Sequence, residues 1–267
     1  MMANWGRVIL HRLEWSDSRE IEDPERGEQY LRLTIDRRKL TMTESGAEGP
    51  LPLALIGLTV VAGLVDAVSY LGLGHVFVAN MTGNVVFLGF VAGGATDFSA
   101  TLSLVAIGSF MVGALAASRL SGNTGGHRGR LLAVSSGIQA AAVGGALLVS
   151  LASFGVSDGV SAQALVLLLA FAMGLQTATA RRLGVADLTT VVLTLTITGL
   201  AGDSHYPHTR RRLAAIAAMF VGALAGTVLI LKVSMGAALA LAMALLLLTT
   251  MAGYRWSSST AAWTAAK

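Results

Sequence analysis

Asp66 is the only carboxylate inside a long apolar run of this chain, and Asn80, Thr82 and Asn84 crowd into another, "GHVFVANMTGNVVFLGF" (74–90). A carboxylate at membrane depth can bind a proton or a cation, while amides and a hydroxyl can line a central site for a small solute or ion. Asp187, Thr189 and Thr190 in "DLTTVVLTLTITGLA" (187–201) offer a similar set, and Gln176 stands nearby in "GLQTA" (174–178). The same Asp66 also reads as a structural acceptor for Ser69, Tyr70 or backbone N–H groups, and the residues alone weigh the two roles evenly. His75 lies at the mouth of the first polar stretch, where a pH-sensing role competes with plain interfacial placement. His205 and His208, with Asp203 in "DSHYPHTRRR", look loosely metal-binding but lack a fixed helical spacing and read as a solvated loop.

Other chemistry is excluded or unsupported. The chain has no cysteine, so disulfides, thiol catalysis and thiolate metal sites are absent. No nucleophile elbow, phosphate-binding glycine loop or zinc motif occurs, and His, Asp and Glu are sparse, so neither an enzyme nor a cofactor is expected.

The elements that must hold these residues follow from composition. Of 267 residues, 54% are hydrophobic and only 13% charged, about half the share of a soluble domain. Residues 1–50 differ from the rest: "EWSDSREIEDPERGEQYLRLTIDRRKL" mixes both signs without periodicity and reads as a disordered cytoplasmic tail, with Met42 as an alternative start. After Pro50 the acids are Asp66, Asp97, Asp158, Asp187 and Asp203, with no Glu, and the bases sit between apolar runs. A basic pI of about 9.8 therefore reflects loop charges on a membrane body, and nucleic acid is not an expected partner.

A spanning helix needs roughly 20 apolar residues. Stretches 51–73, 98–118, 131–153, 161–180, 211–231 and 234–253 qualify, while 78–94 and 187–201 are shorter or more polar. Eight spans would push Arg119, Arg128 and Arg130 outward. Six spans plus two segments that re-enter on the side they left keep nearly all Lys and Arg inside, as cytoplasmic loops require, with Asp97 and Asp158 outside and Lys232 the one exception. Both termini are then cytoplasmic. Asn80 and Asp187 are good N-caps for half-helices beginning near the membrane centre, and Gly83 permits close approach of another backbone. The plainer alternative makes both segments tilted, Thr-rich spanning helices.

"GLVDA" (63–67) recurs as "GLQTA" (174–178), "NMTGN" (80–84) aligns with "DLTTV" (187–191), and "VGALA" (112–116) recurs unchanged at 221–225. The order is kept and the offsets are 111, 107 and 109. Each unit, 51–160 and 161–254, holds three spans, and an odd number turns the second copy upside down. The expected fold is an all-α polytopic membrane protein: six transmembrane helices plus two re-entrant segments, as two inverted-topology repeats, followed by a cytoplasmic tail, 255–267. Gly222 and Gly226 form a GxxxG pair that either joins the repeats or forms a homo-oligomer contact.

The blocks "GLVDAVSYLGLGHVFVANMTGNVVFLGF" and "GLQTATARRLGVADLTTVVLTLTITGLAGD" resemble the two signature blocks of the YoaK-like bacterial integral membrane proteins. The resemblance runs from about Leu51 to Gly253. It implies a six-span protein of the bacterial cytoplasmic membrane and supplies no substrate or catalytic residue. The functional expectation is a transporter or channel for a small solute or ion; the alternative is a non-transporting scaffold or signalling partner.

Overall fold

Every expected long span is a helix in the computed structural model, which describes residues 48–153, 159–185 and 209–264. The helices are α1 (Leu51–Gly72), α2 (Met81–Ala92), α3 (Ala100–Asn123), α4 (Arg128–Ala152), α5 (Gly159–Leu183), α6 (Thr209–Lys232) and α7 (Met235–Trp256). All but α2 are long and apolar enough to cross a membrane. The second expected half-helix, 187–201, lies outside the described residues, as do Asp158, Asp203, His205, His208 and the tail to Ala47.

Local sequence sets the helix starts. Pro50 precedes α1, Ser99 accepts from the Leu102 N–H at 3.2 Å, and Ser234 accepts from the Ala237 N–H at 3.1 Å. His127 caps α4 through Nδ1, which accepts from the Arg130 N–H at 3.3 Å. That cap shortens the expected 119–130 loop to a turn at 124–127, so Arg119 and Arg128 belong to helices.

The helices pack in a definite order. α1, α5, α4 and α7 form a closed ring of neighbours, with α6 laid along α1 and α3 laid along α5 outside it. The apolar stretch of α1 is 67% buried and that of α6 only 17%, which places α1 centrally and α6 against lipid. Glycine sets both outer crossings. A Cβ on Gly226 would lie 2.9 Å from the Leu64 carbonyl oxygen, and one on Gly222 or Gly63 would penetrate the facing backbone. The space over the expected GxxxG pair is therefore filled by α1 of the same chain. At the other crossing, Gly113 faces the Phe171 carbonyl and Gly174 the Phe110 carbonyl.

These contacts also fix direction. Val60 meets Gly222 and Leu64 meets Gly226, so α1 and α6 are parallel; Phe110 meets Gly174 and Arg182 reaches Ser118, so α3 and α5 are parallel too. In contrast, α4 runs antiparallel to α7, as Gly253 against Ala133 and Gly236 against Leu151 show. Arg119, Arg128, Arg130, Arg181, Arg182, Arg211, Arg212 and Arg255 consequently gather at one end of the bundle, and Asp97 and Lys232 lie at the other.

Candidate functional site

The polar stretch after α1 builds a short excursion into the bundle. Gly74 (φ +87°) and His75 (φ +58°) both adopt left-handed conformations, which reverses the chain at the end of α1. An irregular leg, 76–80, then runs back beside α1. Its amides need partners, because backbone at this depth has no water to bond. Asp66 supplies two: its Oδ1 accepts from the Val78 N–H at 3.1 Å and the Ala79 N–H at 2.8 Å. Asn84 supplies a third. Its Oδ1 accepts from the Phe77 N–H at 2.9 Å, and its Nδ2 donates to the Phe77 carbonyl at 2.6 Å, as a neighbouring strand would.

Depth follows from helix rise. Asp66 lies six residues before the end of α1, roughly 9 Å below it at 1.5 Å per residue. The twelve residues of α2 cover about 18 Å, too little for a core of about 30 Å. Phe98, just before α3, sits 6.2 Å from His75 and 4.7 Å from Phe87 (ring centroids), so α3 starts at the end where α1 stopped. The chain therefore enters and leaves on one side, and α2 is a half-helix.

Two expectations here need amendment. Asn80 occupies the N-cap position of α2, but its exposed side chain accepts no capping bond; the first-turn amide that matters is Asn84, which turns back to the leg. Gly83 admits a ring rather than a backbone, since a Cβ there would lie 2.6 Å from Phe77. Phe77 stacks on Tyr70 at 5.0 Å and on Phe87 at 5.7 Å, joining the leg to both α1 and α2.

Among the named polar residues, the fold brings Asp66 and Asn84 together across the leg. Asn80 and Thr82 are exposed on the first turn of α2. Gln176 joins a different group: its Nε2 donates to the Leu58 carbonyl of α1 at 2.8 Å. Asp187, Thr189 and Thr190 lie outside the described residues.

Sequence reasoning missed the other half of that second group. Ser135 and Thr179 hydroxyls are 2.6 Å apart between α4 and α5, and Gln139 Nε2 donates to Ser135 at 3.1 Å. All three residues, and Ser136, are fully buried. Yet Gln139 Oε1, Gln176 Oε1 and Ser136 Oγ have no hydrogen-bond partner among the described residues. The signal was present as "SSGIQ" (135–139), whose i, i+4 spacing puts Ser135 and Gln139 on one helix face.

At the basic end, Arg128 is buried and donates to the carbonyls of Leu183 and Trp263, while His127 Nε2 pairs with the Ser259 carbonyl at 3.0 Å. These bonds strap 257–264 across the bundle, with Trp263 packed edge-on to Trp256. Arg128, read as a loop charge from sequence, is thus a tether. Arg128→Met is expected to release the strap, making chymotryptic cleavage after Trp263 severalfold faster in detergent; unchanged cleavage would show that the bonds hold nothing.

The fold and this polar interior define a multi-pass α-helical membrane protein with a re-entrant half-helix. The chain belongs to the family described as protein of unknown function (DUF1275), whose model matches residues 54–252. It is 36% identical over 152 residues to the UPF0700 transmembrane protein YoaK of Bacillus subtilis (strain 168), a match covering 57% of this chain and 65% of that protein. No solved structure matches it.

Proposed function

We propose that this protein is a transporter or channel for a small solute, built from two inverted-topology repeats in the bacterial cytoplasmic membrane. The observation that carries the reading is the exchange of crossings between its halves. Gly63 of the first "GL..A" block packs against the backbone of α6, and Gly174 of the second packs against the backbone of α3. Gly113 and Gly222, equivalent in the two "VGALA" blocks, supply the opposing surfaces. The ring of α1, α5, α4 and α7 has the same exchange, with α1 answering to α5 and α4 to α7. Inverted repeats of this kind place a site at their interface, near the midplane.

The basic end faces the cytoplasm, because Lys and Arg concentrate there, and Asp97 faces outward. Asp66 and Asn84 shape the pathway by holding the leg, with Asn80 and Thr82 at the head of α2; Asp187, Thr189 and Thr190 are assigned the matching place in the second repeat. Polar groups of α4 and α5 line the interior.

The chain lacks cysteine, so single thiols report on water access. Asp97→Cys should react quickly with an impermeant thiol reagent from outside intact cells. Ser136→Cys, buried at the ring's centre, should react with a small thiol reagent more slowly but completely, because a pathway must open to it. If position 136 stays unlabelled from both faces while position 97 is labelled, the interior is dry, and a packed scaffold or signalling partner is the right reading.

A further inference from the structure

We infer that the solute is a small uncharged molecule bearing N–H or O–H donors, and that Gln139, Gln176 and Ser136 are its binding groups. The inference rests on the transport reading above and adds the place and the chemistry.

Register brings the two glutamines to one level. α4 and α5 are antiparallel, and the Ser135–Thr179 bond fixes their alignment. One turn further, Gln139 on α4 lies opposite residues 175 and 176 on α5. Gln139 is eleven residues into the twenty-five of α4, hence close to the middle of the membrane. Gln176 also bridges to α1, so the group stands where three members of the inner ring meet.

The hydrogen bonds leave one kind of atom over. The Leu58 carbonyl can only accept, so it holds the Gln176 amide nitrogen and turns Oε1 away from it. Gln139 spends its nitrogen on Ser135, whose hydroxyl is shared with Thr179. What remains is two carbonyl oxygens and the Ser136 hydroxyl, all buried and unpaired among the described residues. An unpaired acceptor in this setting is costly, and a donor that reaches it recovers the loss.

Charge decides which donor fits. Ser135, Ser136, Gln139, Gln176 and Thr179 carry no ionisable group. Asp66 lies eight residues beyond Leu58, roughly 12 Å along α1, and its Oδ1 is committed to the leg. A cation here would be buried without a counter-charge among the described residues, which the membrane interior penalises heavily. A neutral amide or polyol offers the same donors without that penalty.

The test uses the full chain in proteoliposomes, with urea and glycerol as probes and stopped-flow light scattering as readout. Protein-dependent entry of either solute is expected, reduced about tenfold by Gln139→Leu or Gln176→Leu, the weight of roughly one hydrogen bond. Thermal unfolding of each variant in detergent accompanies the flux. Leucine removes an unpaired oxygen together with a nitrogen that bonds Ser135 or the Leu58 carbonyl, so gain and loss offset and unfolding should be little changed; if Gln139→Leu fails to fold, Gln139→Met and Ser136→Ala replace it. Entry that persists in folded variants would overturn the assignment of the site. Protein-dependent sodium flux without entry of either neutral solute would overturn the chemistry. No flux of any probe, while position 136 remains open to thiol reagents, would also overturn the neutral-solute inference and leave the pathway standing. No flux together with a closed position 136 would sink both.

Discussion

Asp66→Ala should be among the most damaging single substitutions in this protein, lowering the stability of the folded form by about 2–6 kcal/mol. Its Oδ1 is the acceptor for both the Val78 and Ala79 amides. Removing it leaves two donors unpaired in a region where Val76 and Val78 are fully buried, and each such donor costs roughly 1–3 kcal/mol. Asp66→Asn separates geometry from charge. The amide keeps an oxygen in the same place, so most of the stability should return, with the order wild type, Asn, Ala. Unfolding in detergent, followed by circular dichroism, measures this directly. An alanine variant as stable as wild type would show that the leg does not depend on Asp66. An asparagine variant as unstable as alanine would show that the negative charge is what holds the two amides.

Gly174→Ala is the second large expected effect. A Cβ there would lie 2.8 Å from the carbonyl carbon of Phe110 and closer still to its oxygen. Backbone cannot swing aside as a flexible side chain can, so α3 and α5 must separate along their whole contact. Overpacking of this kind costs about 1–3 kcal/mol, and occasionally more. Gly63→Ala and Gly222→Ala should behave alike, since each meets the facing backbone at the other crossing. Gly57→Ala and Gly108→Ala are the controls. Among the described residues nothing lies within 4 Å of either new methyl, and alanine favours helix over glycine by about 1 kcal/mol. These two should unfold no earlier than wild type. Equal thermal shifts at positions 174 and 108 would mean that the glycine crossings are not close in the folded protein.

The two substitutions draw on different kinds of information in the chain. Gly63, Gly113, Gly174 and Gly222 stand in recurring blocks, and the spacing of Gly222 and Gly226 by itself marks a packing face. Which helix each glycine meets is not legible in that spacing. Gly222 and Gly226 fit an oligomer contact as well as an internal one, because a GxxxG face records only that something comes close. Asp66 is likewise visible as an isolated acid, yet its partners belong to a leg twelve and thirteen residues later, and their approach depends on the reversal at Gly74 and His75.

By itself the sequence determined the six spans and the gathering of most bases at one end, and it narrowed the segment after Asn80 to a half-helix or a tilted span. These depend on sums over neighbouring residues: hydropathy against bilayer thickness, rise per residue and charge per loop. The tertiary structure alone decided which polar groups pair. Gln139 is one amide in an apolar run, and only α5, which places Gln176 at its level, gives it a counterpart. Arg128 looked like a loop charge until Trp263, 135 residues away, returned to cover it. A buried hydrogen bond is specified by two positions and a geometry, and no local sum over either position contains the other.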